Sequence, residues 1–152
     1  MSLRIFYHPY YSSLTLPERH RFPLAKYQAI YQHLAALGYP LAEAPAASRE
    51  QIARVHDADY VEAALTGQLE REAIRRLGFP WSPMLIERTL RSVGATVAAS
   101  RHALEQGCGL QISGGYHHAH RDFGSGFCLF NDLVVAARTC LDEGLCERAL
   151  IV

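Results

Sequence analysis

Apolar residues recur along this chain at the spacings that predict helices and buried strands. Spacings of three and four residues predict a helix over residues 24–37, which Gly38 is expected to end. A longer helix is predicted over residues 83–106, with Ser82 as its N-cap, proline at its first position and Gly107 as its stop. Four small residues in this second helix indicate close packing against a neighbour: Gly94, Ala95, Ala98 and Ala99.

Shorter strands and helices are predicted around these two helices, from brief apolar runs and from N-cap residues. The strands cover residues 3–7, 40–45 and 110–112. The helices are expected to run from the cap Ser48 to near Val55, from the cap Asp57 through Leu65, and from the cap Asn131 through Leu141.

The end of the chain carries one more strand signal. Residues 148–152 (RALIV) form an apolar run soon after the helix stop at Gly144, and they predict the start of a buried strand. A strand that begins there and stops in mid-run indicates truncation. The alternation of strands and helices, without a repeat or linker, predicts one domain over residues 1–152. We expect a three-layer α/β/α fold with a mostly parallel sheet, apparently truncated.

Composition and charge argue against nucleic acid and anionic membranes as partners. The chain has 152 residues, of which 49% are hydrophobic, and 15 basic residues balance 15 acidic ones. No charge run suits nucleic acid or an anionic membrane, so neither partner is expected. Four cysteines without a CxxC pair, and no N-terminal signal pattern, favour reduced thiols in the cytoplasm.

The candidate chemistry is concentrated in one segment, residues 113–131, with the sequence SGGYHHAHRDFGSGFCLFN. Glycine clusters on both sides of His117 and His118 predict a shaped loop that holds the two imidazoles against a small ligand. One imidazole of such a pair can act as general base and the other as acid. The alternative is a polar turn whose three histidines, including His120, face solvent.

Other polar groups in the loop have structural alternatives. The histidines are poor candidates for direct metal ligation, because no Cys, Glu or HExxH partner completes a ligand set. Cys128 could act as a nucleophile beside histidine, although a buried thiol without a catalytic role is favoured. Asp122 and Asp132 are possible partners of the histidines, but a turn and a helix N-terminus explain them as well. Phe127 could line a narrow site, with a glycine carbonyl accepting from a substrate amide.

Two motifs in this loop resemble a known family. GGYHH (114–118) and GFCLFN (126–131) are similar to the signature of the histone deacetylase superfamily, which includes bacterial acetoin-utilisation and acetylpolyamine deacetylases. The RVH motif (54–56) followed by Tyr60 resembles a second family element. The opening FYHPYY (6–11), with His20 and Phe22, resembles the class IV-type and bacterial branch most.

The resemblance implies an arginase-like α/β fold and zinc-dependent hydrolysis of an N-acyl amide. His117 and His118 would match the family's acid/base pair, Phe127 would line the acyl-lysine tunnel, and the Gly126 carbonyl would hold the substrate N–H. Zinc is therefore expected for the full-length protein. The substrate would be an N-acyl-lysine or an N-acyl-polyamine, a choice that the sequence leaves open together with the oligomeric state.

The chain also departs from the family pattern. The family's zinc ligands, two aspartates and a histidine, and its oxyanion-stabilising tyrosine belong to later segments that this sequence lacks. Residues 1–152 are therefore expected to be the N-terminal half of one deacetylase-like domain, without a complete zinc site and inactive alone. Lys26 falls near a position where many members have arginine, and the rim segment 78–81 lacks an acid. The alternative is a non-catalytic half-domain that binds a partner chain or an acylated ligand.

Overall fold

The computed structural model describes residues 2–152, which form three strands, six α-helices and one 3₁₀ helix. In chain order these are β1 (Ser2–Tyr7), the 3₁₀ helix (Pro9–Ser12), α1 (Lys26–Ala36), β2 (Leu41–Glu43), α2 (Arg49–Ala53), α3 (Ala58–Thr66), α4 (Arg71–Leu77), α5 (Pro83–Gln106), β3 (Gly107–Gln111) and α6 (Asp132–Asp142).

The three strands form one parallel sheet in the order β2–β1–β3, with β1 in the centre. Ile5 of β1 pairs with Leu41 of β2 on one side and with Leu110 of β3 on the other. Because successive residues of a strand face opposite sides, β1 offers one apolar surface to each of two helical layers. The expected parallel sheet is confirmed.

Helices cover both faces of this sheet. Tyr7 of β1 stacks on Tyr31 of α1, with ring centroids 4.1 Å apart. On the opposite face Gln111 of β3 donates its side-chain amide to Thr96 of α5. Helix α6 packs against α5, where Val93, Val97, Val135 and Ala136 share the largest apolar cluster. The fold is therefore the expected three-layer α/β/α arrangement.

Helix α5 has the predicted limits and the predicted close contacts. The Ser82 hydroxyl accepts from the Leu85 amide at 3.1 Å, and Gly107 ends the helix with φ of 96°. A Cβ on Gly94 would overlap the Pro45 carbonyl oxygen and lie 2.6 Å from the Ala47 amide nitrogen. Glycine at this position lets the helix backbone touch the segment after β2.

Three expectations from the sequence differ from the structure. Strand β3 begins at Gly107, directly after α5, because Gly107 both ends α5 and pairs with Ser2 of β1. Gly109 pairs with Arg4, and its missing Cβ makes room for the Ala99 backbone of α5. Helix α4 has no counterpart among the predicted elements. The predicted strand over residues 148–152 is wrong. This segment makes no strand pairing in the described residues and lies along the groove between α5 and α6.

The remaining features are the state of the cysteines and the character of the helices. All four cysteines are free thiols. Among residues 2–152, no helix combines the length and the apolar character needed to cross a lipid bilayer.

Candidate active site

The histidine loop, residues 112–131, connects β3 to α6. It leaves the carboxyl end of β3, and in a parallel sheet this is also the edge where β1 and β2 end. Ligand sites of open α/β sheets lie at this edge. The loop that carries His117 and His118 therefore lies at the sheet edge where ligand sites of this kind of fold are found.

The loop opens with a glycine turn that only small residues can form. Gly114 and Gly115 have φ values of 141° and 77°, a region that L side chains rarely adopt. A Cβ on Gly114 would overlap the Gln111 amide and lie 2.8 Å from an oxygen of Asp132. The turn therefore fits closely over the side chains beneath it.

Asp132, in the first turn of α6, binds this glycine turn from below. Its side chain is fully buried and accepts from the Tyr116 amide at 2.8 Å and from the Gly115 amide at 3.2 Å. The Thr96 hydroxyl donates to it at 2.5 Å and the Gln111 amide at 3.2 Å. No hydrogen bond in the described structure joins Asp132 to His117 or His118, so it contacts the loop backbone and not the imidazoles.

His117 and His118 lie side by side at the surface of the loop, with ring centroids 4.2 Å apart. The Nδ1 of His117 lies 2.8 Å from the Gly115 carbonyl oxygen. A carbonyl can only accept, so Nδ1 carries the proton and Nε2 of the neutral ring keeps its lone pair. The residues on either side of the pair, Tyr116 and Ala119, are buried and form a small cluster with Cys128.

Gly126 lies against His118. A Cβ added to Gly126 would be 3.2 Å from Cδ2 of the His118 ring, and the φ of Gly126 is 54°. The structure therefore brings His117, His118 and Gly126 together.

Phe127 lies next to this group in an unusual backbone conformation. It is the non-glycine residue of the described chain with positive φ, 67°, and its amide donates to the Leu77 carbonyl at 2.8 Å. Strained backbone of this kind persists only where the surroundings hold it and is concentrated at functional sites. The Phe127 ring packs among three others, with centroids 5.1 to 5.5 Å away: Phe79, Phe22 and His20.

His20 fixes one side of this aromatic group. Its Nε2 lies 2.8 Å from the Gly78 carbonyl oxygen and its Nδ1 accepts from the Phe22 amide at 3.2 Å. The ring stacks on Phe79. The rim segment 78–81 thereby contacts Phe127 through aromatic rings.

His56 and Tyr60 hold the far half of the loop. His56 Nδ1 donates to the Arg121 carbonyl at 3.2 Å, and its Nε2 accepts from the Asn131 amide at 3.0 Å. The Tyr60 hydroxyl donates to the Leu129 carbonyl at 2.7 Å. Burial lowers the pKa of His56 and raises the pKa of Tyr60, so both side chains favour their neutral forms.

Cys128 does not have the surroundings of a nucleophile. The residue is buried, and burial raises the pKa of its thiol, which disfavours the thiolate. Its Sγ lies 3.5 Å from the Gly126 carbonyl oxygen, to which it donates. These observations favour the expected buried thiol over a Cys-His hydrolase.

Arg88 is an important buried residue that the sequence analysis missed. It is 1% exposed, donates from Nε to the Tyr11 carbonyl at 3.2 Å and from Nη2 to the Tyr116 hydroxyl at 3.0 Å. The rings of Phe22 and Tyr27 lie 5.1 and 5.2 Å from its guanidinium carbon. Its spacing could have indicated burial, because Arg88 lies three residues after the buried Leu85 and therefore on the same inner face of α5.

The remaining polar residues near the loop do not complete a metal site. His120 and Asp122 are exposed, and His120 stacks on Phe123. Within residues 2–152, no three His, Cys, Asp or Glu side chains converge in a way that could hold a metal ion. These residues therefore do not fit a catalytic zinc ion by themselves.

Comparisons with a family model and with known proteins point to the same family. Residues 20–152 match the model of the histone deacetylase domain. The chain is 40% identical over 156 residues to an uncharacterized protein of Picosynechococcus sp. (strain ATCC 27264 / PCC 7002 / PR-6), 25% identical over 151 residues to histone deacetylase 2 of Arabidopsis thaliana, and 32% identical over 100 residues to the acetoin utilization protein AcuC of Bacillus subtilis (strain 168). These alignments cover 100%, 93% and 59% of this chain.

A solved structure supports the same fold. The crystal structure of the HDA15 HD domain superposes with a TM-score of 0.75 at 18% identity, covering 94% of this chain and 44% of that one. The chain spans about half or less of the curated relatives named above: 52%, 39% and 26% of their lengths. The GGYHH turn, the adjacent GFCLFN segment and the parallel sheet that carries them thus agree with the domain match, and the chain belongs to the histone deacetylase family.

Proposed function

We propose that the full-length protein is a zinc-dependent amidohydrolase that removes an acyl group from an N-acyl-lysine or an N-acyl-polyamine. The observation that carries this proposal is the exposed pair His117 and His118 next to Gly126. The hydrogen bond from His117 Nδ1 to the Gly115 carbonyl supports a basic role, because it leaves the Nε2 lone pair free to accept a proton.

The roles of the loop residues follow from this arrangement. One imidazole of the pair takes a proton from the attacking water, and the other delivers a proton to the departing amine. The Gly126 carbonyl accepts the N–H of the scissile amide, and the Phe127 ring lines the path of the aliphatic chain. The aromatic packing of Phe127 on Phe79 and Phe22 supports an apolar wall at that point.

Zinc dependence is part of the proposal because the chain belongs to the histone deacetylase family. Because residues 2–152 hold no ligand set, the ligands would come from other residues of a longer protein, of which this chain would be the N-terminal half and inactive alone. The share of each relative that the chain spans supports this view. Free thiols and a balanced charge support a cytoplasmic protein that acts on a small or lysine-borne acyl amide and does not act at nucleic acid or membrane.

The test begins with the intact mass of the protein from its native source, followed by hydrolysis assays. Full-length protein, with and without a zinc chelator, is incubated with an Nε-acetyl-lysine peptide and with N-acetylspermidine. We expect chelator-sensitive release of acetate from one of them. His117→Ala should lower kcat by about 10²- to 10⁴-fold, the usual contribution of a positioned acid or base.

His120→Ala is the matched control, because His120 is an exposed histidine of the same loop that stacks on Phe123. It should keep near wild-type activity. A native mass of 17.0 kDa together with no hydrolysis of either substrate would contradict the enzyme proposal. That result would favour a half-domain that binds a partner chain or an acylated ligand.

A further inference from the structure

Three segments of the chain border the Phe127 ring. The His20 ring lies 5.5 Å from the Phe127 ring, and the Gly126 amide donates to the Arg76 carbonyl at 3.4 Å. Gly126 also lies against His118. The turn before α1, the end of α4 and the histidine loop therefore meet at the candidate site, through residues 17–22, 75–81 and 117–127.

These segments carry an excess of positive charge. They contain five arginines and two carboxylates, and all seven residues are exposed: Arg19, Arg21, Arg75, Arg76, Arg121, Glu18 and Asp122. The chain as a whole has 15 basic and 15 acidic residues, so the excess is local. We refer to the five arginines as the arginine rim.

The arginine rim differs from many other basic residues of the chain in its lack of carboxylate partners. Within residues 2–152, none of its members forms an ion pair. Several arginines elsewhere do, with carboxylates within 4.0 Å: Arg49, Arg54, Arg91, Arg101 and Arg138. The guanidinium groups of the rim are therefore free to bind an anion.

Arg76 is the member of the rim whose position is best defined. Its guanidinium carbon lies 4.6 Å from the Phe123 ring centroid, and the Phe123 ring stacks on His120 at 4.3 Å. Contact with an aromatic face holds a guanidinium group without neutralising its charge. The planar N–H groups can still bind both oxygens of a carboxylate. Arg76 thus presents a positive charge beside the loop that carries His117 and His118.

The charge of the rim bears on the choice of substrate. In the proposed reaction the acyl chain passes Phe127, so the groups that flank the acylated amine stay at the surface among the arginines. Acidic side chains in those positions would be attracted to the rim. The amines of an acylated polyamine, which are protonated because their pKa values lie at about 10, would be repelled.

We propose that the arginine rim selects an acyl-lysine carried by an acidic peptide over an N-acyl-polyamine, with Arg19, Arg21 and Arg76 binding the carboxylates that flank the acyl-lysine. The proposal deepens the function proposed above and rests on it for the identity of the acyl-lysine. The rim residues bind the substrate and take no part in the proton transfers.

The first test compares substrates of different charge on the full-length protein. Three acetyl-lysine peptides, which differ only in having glutamate, glutamine or lysine on both sides of the acetyl-lysine, are assayed beside N-acetylspermidine. We expect kcat/KM to fall in the order glutamate, glutamine and lysine peptide, with acetylspermidine below the glutamate peptide. The ratio of the glutamate to the glutamine peptide should be at least ~5-fold in about 20 mM salt and approach unity in about 500 mM, because salt screens exposed charges.

Variants assign this preference to the rim. Arg76→Gln should lower the glutamate-to-glutamine ratio by about 2-fold or more, the effect of one exposed ion pair, and the triple variant Arg19→Gln/Arg21→Gln/Arg76→Gln should abolish the preference. Arg76→Glu should favour the lysine peptide over the glutamine peptide. Arg4→Gln is the matched control, because Arg4 is an exposed arginine in the first half of β1, away from the carboxyl edge of the sheet, and it should keep the wild-type ratio. Because the ratio compares two substrates on one protein, a lower folded fraction does not change it.

Binding of fluorescein-labelled peptides, measured by fluorescence anisotropy, separates the rim from catalysis. A glutamate-to-glutamine ratio of one at low salt, or a triple variant that keeps the wild-type ratio, would overturn the proposal. Faster hydrolysis of acetylspermidine than of the glutamate peptide would also overturn it, as would tighter binding of a single-stranded oligonucleotide than of that peptide. Protein that hydrolyses no acetyl substrate but binds the glutamate peptide through the rim would defeat the proposed function and support the preference for acidic peptides.

Discussion

Gly126 shows how a single missing side chain shapes the candidate site. Its φ of 54° lies in the left-handed region, and a Cβ would approach His118 to 3.2 Å at Cδ2 and 3.4 Å at Cβ. An alanine there would add backbone strain and also displace the imidazole. The two effects can be separated, because the chain contains a glycine with similar backbone and no neighbour.

We expect Gly126→Ala to destabilise the full-length protein by about 1–2 kcal/mol, the cost of a left-handed conformation for an L residue. It should also lower kcat for the proposed deacylation by more than ~10-fold, because a displaced His118 would not serve as the proposed acid or base. Gly144→Ala is the control, with φ of 67° and nothing within 4 Å of the added Cβ. It should show a similar loss of stability in urea denaturation and unchanged kcat. Equal activities of the two variants would contradict a role for the His118 contact.

At the scale of elements, α5 is the helix on which the loop and the sheet are assembled. It contacts β1, β3 and α6, and it supplies Arg88, Ser92 and Thr96 to the polar groups beneath the glycine turn. Ser92 and Ser113 share a hydrogen bond of 3.0 Å, which links the helix to the start of the loop. Helix α5 also touches the segment after β2 at Gly94, so this contact helps to position the candidate site as well as the core.

Gly94→Ala tests this contact, because the sign of the change in the free energy of unfolding depends on whether α5 can move away from the segment after β2. In an unconstrained helix the change would stabilise by about 1 kcal/mol, because alanine has the higher helix propensity. Here the added Cβ would overlap the backbone of Pro45 and Ala47, so we expect a loss of about 1–3 kcal/mol, typical of overpacking. The measurement is the urea midpoint of full-length protein. A gain in stability would show that the helix can move away from the segment after β2.

The limits of α5 and α6 were predictable because local chemistry determines them. Ser82 and Asn131 accept hydrogen bonds from amides of the first turn, and Gly107 ends α5 in the left-handed conformation. Local patterns were less informative for β3, whose glycines serve both the helix end and the strand. The strand predicted for residues 148–152 failed because a strand needs a hydrogen-bonding partner, which an apolar pattern does not supply.

The sequence motifs predicted the residues of the candidate site, but they did not predict the buried residues that contact the loop. The proximity of His117, His118 and Gly126 agrees with the motif-based prediction, whereas their catalytic roles stay predictions. Arg88 and Thr96 were missed because they reach the loop only in the fold, whereas Asp132 was named without its contact to the glycine turn. Asp132 was expected to serve the N-terminus of α6, and the same position lets its carboxylate reach the glycine turn.

For the molecule as a whole, burial of titratable groups links stability to pH. His56 connects the α2–α3 junction to both ends of the segment 121–131, so its charge state bears on the entire loop. Burial lowers its pKa below 6.5 and outweighs the opposing effect of the backbone carbonyls of Arg121 and His120. Burial, and then the nearby Arg91, also lower the pKa of His8.

A histidine whose pKa falls on folding makes the unfolded chain bind more protons at low pH. Its contribution to stability is therefore fully present above pH 6.5 and is lost as the pH falls below that value. We expect the unfolding free energy of full-length protein, measured in urea between pH 8 and pH 5, to decline on the acid side by up to ~1.4 kcal/mol per pH unit from His56. His56→Gln removes the titrating ring while keeping a donor and an acceptor, so its decline should be shallower, with the remainder coming partly from His8. Equal slopes for the two proteins would show that the loop is anchored without a pH-dependent contribution from His56.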